Sequence, residues 1–429
     1  MLSRRQFMTT SAAVALVAAS GLSAFAAEQA EWAQNYDGAN RVRVPRSTTP
    51  ILSPLAVSAT EEAAARYREI VGRGGWDRLS AGSGLRVGSK GPAVLALRQR
   101  LMVEGDLDAA AGSSPIFDSY VEAGVRRFQA RHGLNATGIL NEATIASMNV
   151  PAETRLKQLE LNVVRLRSYA TSNLGSRYVI VNIPAALVET VEDGRVHTRH
   201  AAGVGKIDRQ SPIMNAKITQ VNFNPFWTAP ASVVKKDLIP KMQKEPNYLT
   251  ENRIRIFSRD GQEIRPEAVN WRSDEATRYM FRQDPGGDLN SMGSVRINIP
   301  NPHGVFMHDT NTKGVFGDDF RFISSGCVRV QNVREYITWL LKDTPGWGRN
   351  EVEQAIESGK RIDARLSQPV PVYWTYITAW STPDGLVQFR DDIYKRDGVN
   401  VPSTISAPTP VASAEQTMPE TFEPGDEEN

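Results

Sequence analysis

The sequence is poorest in the two residue types that most often do chemistry near neutral pH. Among 429 residues there are one cysteine and five histidines. A single cysteine excludes an intrachain disulfide and any four-cysteine zinc site. Net charge is also nearly absent, with 50 Lys and Arg against 48 Asp and Glu, formally +2; a dedicated nucleic-acid binder would carry a strong basic excess. No repeat of fixed period is visible. The longest apolar run, Ala12 to Ala19, falls short of the about 20 residues that a bilayer-crossing helix needs, so the chain reads as not membrane-spanning. What remains is ordinary: 41% hydrophobic and 23% charged residues, which excludes full disorder and collagen-like structure. At roughly 100–200 residues per domain, the length suits two or three domains.

The two ends depart from that average. Residues 1–27 read as an export signal: Arg4 and Arg5, then the apolar run, then the small-x-small site Ala24-Phe25-Ala26. Ser3-Arg4-Arg5-Gln6-Phe7-Met8 resembles the bacterial twin-arginine signal, with an ordinary secretory signal as the alternative. Either reading places the mature protein outside the cytoplasm, and the twin-arginine reading places it in the periplasm. At the other end, Val401 to Asn429 holds five prolines and six acids with no Lys or Arg, the composition of a disordered acidic tail. Without the signal the charge falls from +2 to 0, and without the tail it rises to +6 for residues 28–400. A mildly basic body suits an anionic polymer such as a cell wall.

Between the ends the hydrophobic period changes along the chain. Residues 28–81 read as a lead-in with a short helix over Glu61 to Val71. In 82–150, Pro92 opens a helix striped by Val94, Leu97 and Leu101 and closed by Gly105. Val121, Val125 and Phe128 stripe a second, closed by Gly133, and Asn141 caps a third. With Leu85-Arg86-Val87-Gly88-Ser89-Lys90-Gly91, Val125-Arg126-Arg127-Phe128-Gln129, Gly133-Leu134 and Thr137-Gly138, this unit resembles the peptidoglycan-binding-like domain; a structural spacer without ligand is the alternative. Residues 151–174 read as a polar helical connector. From 175 to 396 the period is 2, with strands over Tyr178–Ile183, Thr219–Phe223, Val295–Ile299 and Val370–Ile377. The last pairs through an Asp384-Gly385 turn with Leu386–Phe389 as a hairpin. Residues 229–293 interrupt this pattern with a helical start and a Pro285-Gly286-Gly287 break, as a lid or binding insertion does. Residues 397–429 form the tail. The fold class is multi-domain α+β: a mainly-β domain with a helical lid insertion, preceded by a small three-helix domain.

The chemistry points to the stretch from His303 to Val330. Cys327 is an unpaired thiol in an exported chain, either a reactive group or a small buried apolar one. It follows Ser325-Gly326, a flexible pair that lets backbone N–H groups approach a reacting carbonyl, and it precedes the strand-like Val328-Arg329-Val330. A thiol near its ordinary pKa of about 8.5 needs a base or a positive field. His308 is the candidate base, where an apolar stretch meets the polar Asp309-Thr310. His303, His132, His197 and His200 read as surface residues, and a zinc site from His303, His308 and Cys327 has no recognised spacing.

At these residues the chain resembles the L,D-transpeptidase catalytic domain: His308, then Ser324-Ser325-Gly326-Cys327, then Arg329. Many members carry His where this chain has Ser325. Further segments, Asn224-Pro225-Phe226-Trp227, Ile239-Pro240-Lys241, Pro246-Asn247-Tyr248-Leu249 and Phe281-Arg282-Gln283-Asp284-Pro285-Gly286, are similar to the large Gram-negative branch with a capping subdomain. The resemblance implies a cell-wall transferase that forms 3→3 crosslinks between peptidoglycan stem peptides, with a tetrapeptide donor and a diaminopimelate acceptor. In that reading Cys327 is the nucleophile, His308 the general base, and Gly326 with Ser325 the oxyanion loop. Arg329, Trp227 and Asp309 contact substrate, no cofactor or metal takes part, and carbapenems are inhibitors. A cysteine hydrolase and a catalytically decayed wall-binding scaffold are the alternatives.

Overall fold

The structure, a computed structural model, describes residues 47–80, 82–285, 289–399, 401 and 403–405. The export signal, Gly286-Gly287 of the lid break and nearly all of the acidic tail lie outside the described residues. Among the described residues, no helix is long and apolar enough to cross a membrane.

The first helix, α1, covers Pro54–Gly72, with the Ser53 side chain accepting the Ala56 N–H as its cap. It therefore starts inside the segment read as lead-in, because a capping serine followed by proline at the first helical position is a start signal. Three short helices follow as their apolar stripes require: α2 (Pro92–Val103), α3 (Ser119–Arg131) and α4 (Glu142–Met148). Val94, Leu97, Leu101, Val121, Val125 and Phe128 fill their common core with no exposed surface.

The helix read as a polar connector, α5 (Ala152–Ala170), is instead the central post of the molecule. Its polar face is buried and satisfied. Asn162 exchanges two hydrogen bonds with Thr378, at 2.8 and 3.0 Å, and Gln158 donates to the Arg390 carbonyl. The Arg155 guanidinium stacks 4.6 Å over Phe389. Buried polar groups cost little once paired, so composition alone hid this helix's role.

The β domain is one sheet closed on itself. Its strands are β1 (Arg177–Asn182), β2 (Leu187–Glu192), β3 (Arg195–Gly205), β4 (Met214–Phe223), β9 (Val295–Asn298), β10 (Met307–His308), β11 (Phe322–Ser324), β12 (Val328–Val330) and β13 (Ile362–Thr375). Neighbours run β11-β3-β12-β10-β9-β4-β13-β1-β2, and β2 pairs back to β3. The long β3 makes closure possible, its first half pairing with β2 and its end with β12 and β11. One face of β1 (Val179, Val181) joins a core completed by helix Val333–Leu341, while the other (Tyr178, Ile180) packs on Ile51, Leu52 and Leu166.

Several expectations are corrected here. Leu386–Phe389 does pair across Asp384-Gly385, but with Ala379–Ser381 (β14), not with β13. The insertion is more than a helix and irregular chain: β5 (Trp227–Ala229), β6 (Ile254–Phe257), β7 (Glu263–Ile264) and β8 (Met280–Gln283) form their own sheet, ordered β5-β8-β6-β7. His132 is buried, sandwiched between Phe128 at 3.9 Å and Phe389 at 5.4 Å. His200 is also buried and hydrogen-bonded to Thr198 at 2.7 Å. His197 and His303 are exposed, as read. The chain past residue 396 begins packed: Asp397 accepts the Thr378 hydroxyl at 2.6 Å, and Thr404 donates to Asp391.

A buried ionic cluster ties the small domain to α1. Glu104 pairs with Arg100 at 2.6 Å and Arg131 at 2.9 Å and accepts the Tyr67 hydroxyl, while Arg131 also pairs with Asp106 at 2.6 Å. The two guanidiniums hold the Glu104 carboxyl well below the usual range against the opposing pull of burial. Removing the acid strands the Arg100 guanidinium and leaves Arg131 with Asp106 alone, so Glu104→Ala is expected to lower the unfolding free energy by about 3–5 kcal/mol. Urea denaturation measures this, and a loss below about 1 kcal/mol would show the cluster to be solvent-relaxed.

Candidate active site

The site is a consequence of strand periodicity. β10 runs parallel to β12, pairing Met307 with Val328 and His308 with Arg329, and antiparallel to β9, pairing His308 with Arg296. Successive side chains alternate faces. Val295, Ile297, Met307, Val328 and Val330 enter the core with no exposed surface. Their alternates Arg296, Asn298, His308 and Arg329 therefore share the other face, where Phe306 packs beside His308 and Arg296; Cys327, one residue before β12, is half-buried against the core, within the field of Arg296 and Arg329. Gly203 on β3 faces Arg329, and a Cβ there would sit 3.4 Å from the Arg329 Cβ. The nearer atom is the Ile323 Cδ1 at 3.1 Å, so the small residue here makes room for that side chain.

The loop bearing Cys327 is held at each end. The Ser324 hydroxyl donates to the Cys327 carbonyl at 2.6 Å, the Ser211 hydroxyl to the Gly326 carbonyl at 2.9 Å, and the Val328 N–H to Phe306 at 3.0 Å. Gly326 has φ +109°, a conformation that side chains rarely adopt. Its N–H points at the Ser324 hydroxyl oxygen at 3.2 Å. Ser325 is exposed and accepts a hydrogen bond from Arg209 at 3.0 Å. The same guanidinium forks onto Asp237 of the insertion, and Lys236 pairs with Asp208 at 3.2 Å. The insertion is thus fastened to the chain beside the cysteine loop.

His308 is buried, and its Nδ1 lies 2.5 Å from the Asp309 carbonyl. A carbonyl only accepts, so Nδ1 carries the proton and Nε2 is left as the base. The Asp309 carboxylate accepts from the Ser294 N–H at 2.9 Å and hydroxyl at 2.8 Å, and pairs with Lys313. It holds the turn whose carbonyl orients His308. Gly293, at φ +61°, permits this approach, since a Cβ there would lie 2.4 Å from Asp309 Oδ2. Trp227 lies on β5, half-buried against the insertion's own core.

Burial dominates the electrostatics. It pushes the Cys327 thiol up to about 11, opposed by the Phe306 backbone N–H and the guanidiniums of Arg296 and Arg329. Burial and then Arg329 push His308 down to about 3, against the hydrogen bond to Asp309. At neutral pH the thiol is protonated and the imidazole neutral. Arg296, which sequence reasoning missed, is the extra member of this face. Its signal was present in the alternation of Val295-Arg296-Ile297-Asn298, which sets a cation opposite the core. Among the described residues no three His, Cys, Asp or Glu side chains cluster as metal ligands.

A thiol and an oriented imidazole carried by neighbouring strands of one closed sheet can together support attack on a carbonyl. Residues 176–349 match the family described as "L,D-transpeptidase catalytic domain", and residues 90–148 that described as "Putative peptidoglycan binding domain". The stretch containing His308 and Cys327 is thus similar to L,D-transpeptidase catalytic domains, and the three-helix unit to peptidoglycan-binding domains. A "Putative L,D-transpeptidase" of Haemophilus influenzae is 33% identical over 242 residues, 56% of this chain and 48% of that protein. The chain thus spans about half the length of this curated relative. Solved L,D-transpeptidases are more distant. That of Stackebrandtia nassauensis is 14% identical over 70% of this chain and 97% of its own, with a TM-score of 0.26. That of Xylanimonas cellulosilytica is 16% identical over 69% and 98%, with a TM-score of 0.22.

Two pH effects follow. Alkylation of Cys327 by iodoacetamide should accelerate about tenfold per pH unit from pH 7 to 9, because only the thiolate reacts; a plateau already reached at pH 7 would mean a preformed thiolate. The fold also holds His308 neutral, whereas the unfolded chain takes up its proton below about 6.5. Stability is therefore full above that pH and declines as pH falls towards 3. His308 should account for about 2 kcal/mol of the loss between pH 7 and 5, and His308→Gln should flatten the denaturation profile by that amount.

Proposed function

We propose that this protein is an L,D-transpeptidase of the cell wall, exported to the periplasm, which joins peptidoglycan stem peptides by 3→3 crosslinks through a Cys327 thioester. The observation that carries the reading is the parallel pairing of β10 with β12, which sets His308 opposite Arg329, two residues from Cys327, with the imidazole fixed by the Asp309 carbonyl so that Nε2 is the available base. The peptidoglycan-binding-type domain ahead of it supports a wall-bound substrate.

In the first half-reaction the thiol proton passes to His308 Nε2 as the sulfur attacks the carbonyl at the L-centre of diaminopimelate. Independent titration at about 11 and about 3 would make that proton transfer cost about 11 kcal/mol. Transfer is therefore coupled to attack, so that negative charge passes directly to the forming oxyanion. The backbone N–H of Cys327 faces this oxygen, with the Gly326 N–H joining once it leaves the Ser324 hydroxyl; one such donor is worth about 10²–10³ in rate. His308 then returns the proton to the departing D-Ala nitrogen, and the C–N bond breaks to leave the thioester. In the second half the side-chain amine of another stem attacks the thioester. His308 takes its proton, the C–S bond breaks, and the thiol is restored. The insertion, tied down through Asp237 and Arg209, restricts water so that an amine is the acceptor.

With disaccharide-tetrapeptide as the only substrate, the mature protein should release D-Ala and form dimer, read by mass spectrometry. Cys327→Ala should abolish both, and His308→Ala should slow acylation at least about 10²-fold. Dimer from Cys327→Ala would refute the nucleophile, and tripeptide without dimer would identify a hydrolase.

A further inference from the structure

The chain between β3 and β4 touches the cysteine loop residue by residue. The Lys206 N–H donates to the Ser324 carbonyl at 2.9 Å, the Arg209 guanidinium to the Ser325 hydroxyl at 3.0 Å, and the Ser211 hydroxyl to the Gly326 carbonyl at 2.9 Å. A peptide group is planar and trans, so its N–H points opposite to its C=O. The bond to the Gly326 carbonyl therefore aims the Cys327 N–H, and the bond to the Ser324 carbonyl aims the Ser325 N–H. Residues 206–211 are themselves tightly folded. Ser211 has no exposed surface, its hydroxyl also accepts the Gly205 N–H at 3.0 Å, and a side chain at Gly205 would overlap the Arg209 carbonyl. The outer side of this loop carries Asp208 and Arg209, which meet Lys236 and Asp237 of the insertion. Lys236 pairs with Asp208 at 3.2 Å, and Arg209 forks onto both carboxylate oxygens of Asp237. The signs are opposite at each step, so only this register pairs every charge. Lys236 and Asp237 lie within one π-helical turn, Val234–Leu238, an uncommon conformation that recurs at functional sites.

We propose that residues 206–211 form a bracket through which the insertion sets the geometry of the cysteine loop, with Arg209 as the positioning residue between them. One guanidinium serves both contacts, so Asp237 holds it where Ser325 receives it. The forked carboxylate pair is the surface ion pair with the strongest geometry, and a planar guanidinium fixed on one edge is fixed on the other. With the pair made, the loop presents the Cys327 N–H to a forming oxyanion. With it broken, the thiol remains in place and the donor is free to turn away. The insertion therefore acts on the acylation step itself, beyond any shielding of the site from water. The proposal rests on Cys327 being the nucleophile of an acyl transfer, and it is independent of which donor is used.

The test compares two small reagents on the mature protein. Iodoacetamide alkylates the sulfur and releases iodide without forming an oxyanion. With p-nitrophenyl acetate the sulfur bonds to the carbonyl carbon through an oxyanion, the ester C–O bond breaks, and nitrophenolate leaves. Both reactions need the thiolate, so the ester-to-iodoacetamide rate ratio isolates oxyanion stabilisation. Ser211→Ala and Arg209→Ala loosen the donor and should lower the ratio at least about tenfold, short of the about 10²–10³ that removing a donor costs. Asp237→Ala changes only the insertion and should lower it at least about fivefold, while Asp237→Glu, which keeps the carboxylate, should stay within about twofold of the parent. The Arg209→Ala/Asp237→Ala double variant should fall no further than Arg209→Ala alone, because both act through one guanidinium. An unchanged ratio in Asp237→Ala, or additive losses in the double variant, would overturn the bracket. The half-buried Asp237 keeps the proposal testable if Arg209→Ala does not fold. A lowered ratio in a protein that makes no dimer from disaccharide-tetrapeptide would uphold the bracket and refute the transpeptidase reading instead.

Discussion

The parallel pairing of β10 with β12 is the constraint on which the rest depends. Two residues of β10 fix the register of everything chemical, because Met307 opposite Val328 is buried and cannot face water. A slip by one residue would send His308 and Arg329 into the core and Met307 and Val328 to the surface. The closed sheet guards that register from both sides. β9 is held by β4, β12 is held by β3, and β3 also closes the ring onto β2. The face that carries His308 and Arg329 is therefore the outside of a sheet whose inside is a packed apolar core.

The same burial that fixes the register sets the chemistry. It keeps the thiol protonated and the imidazole neutral, so the resting enzyme stores no ion pair. Charge appears only when a carbonyl is present to receive it. A protonated thiol is also the form least prone to oxidation, since oxidation follows thiolate character. The arginines supply a positive field that favours the thiolate once formed. Asp309 works at one remove: its carboxylate holds Ser294 and Lys313, and its carbonyl aims the imidazole.

Much of this was legible before the fold was known. The stripes Val94-Leu97-Leu101 and Val121-Val125-Phe128 identify the three-helix unit because apolar spacing answers directly to one buried face. That His308 and the segment after Cys327 would lie close was legible in the spacing of the two around short apolar stretches, which the structure pairs as β10 and β12. What escaped was polar and buried. Asn162, Gln158 and Arg155 look like solvent-facing residues until their partners on distant strands are known. His132 looked like a helix end because nothing local announces Phe389, which covers it. The insertion's four strands escaped because they are two to four residues long, too short for alternation to register. Arg296 sat in plain alternation, but its level with His308 is a property of pairing and not of sequence distance.

The central claim is that His308 rests as a neutral imidazole with its proton on Nδ1. Imidazole 15N chemical shifts of the mature protein, assigned with His308→Gln, measure it directly. The expected result is one neutral tautomer, protonated at Nδ1, with no titration between pH 5 and 8. A midpoint near 6.5, or an imidazolium at pH 7 that disappears in Cys327→Ala, would contradict it and replace the neutral pair with a preformed thiolate–imidazolium.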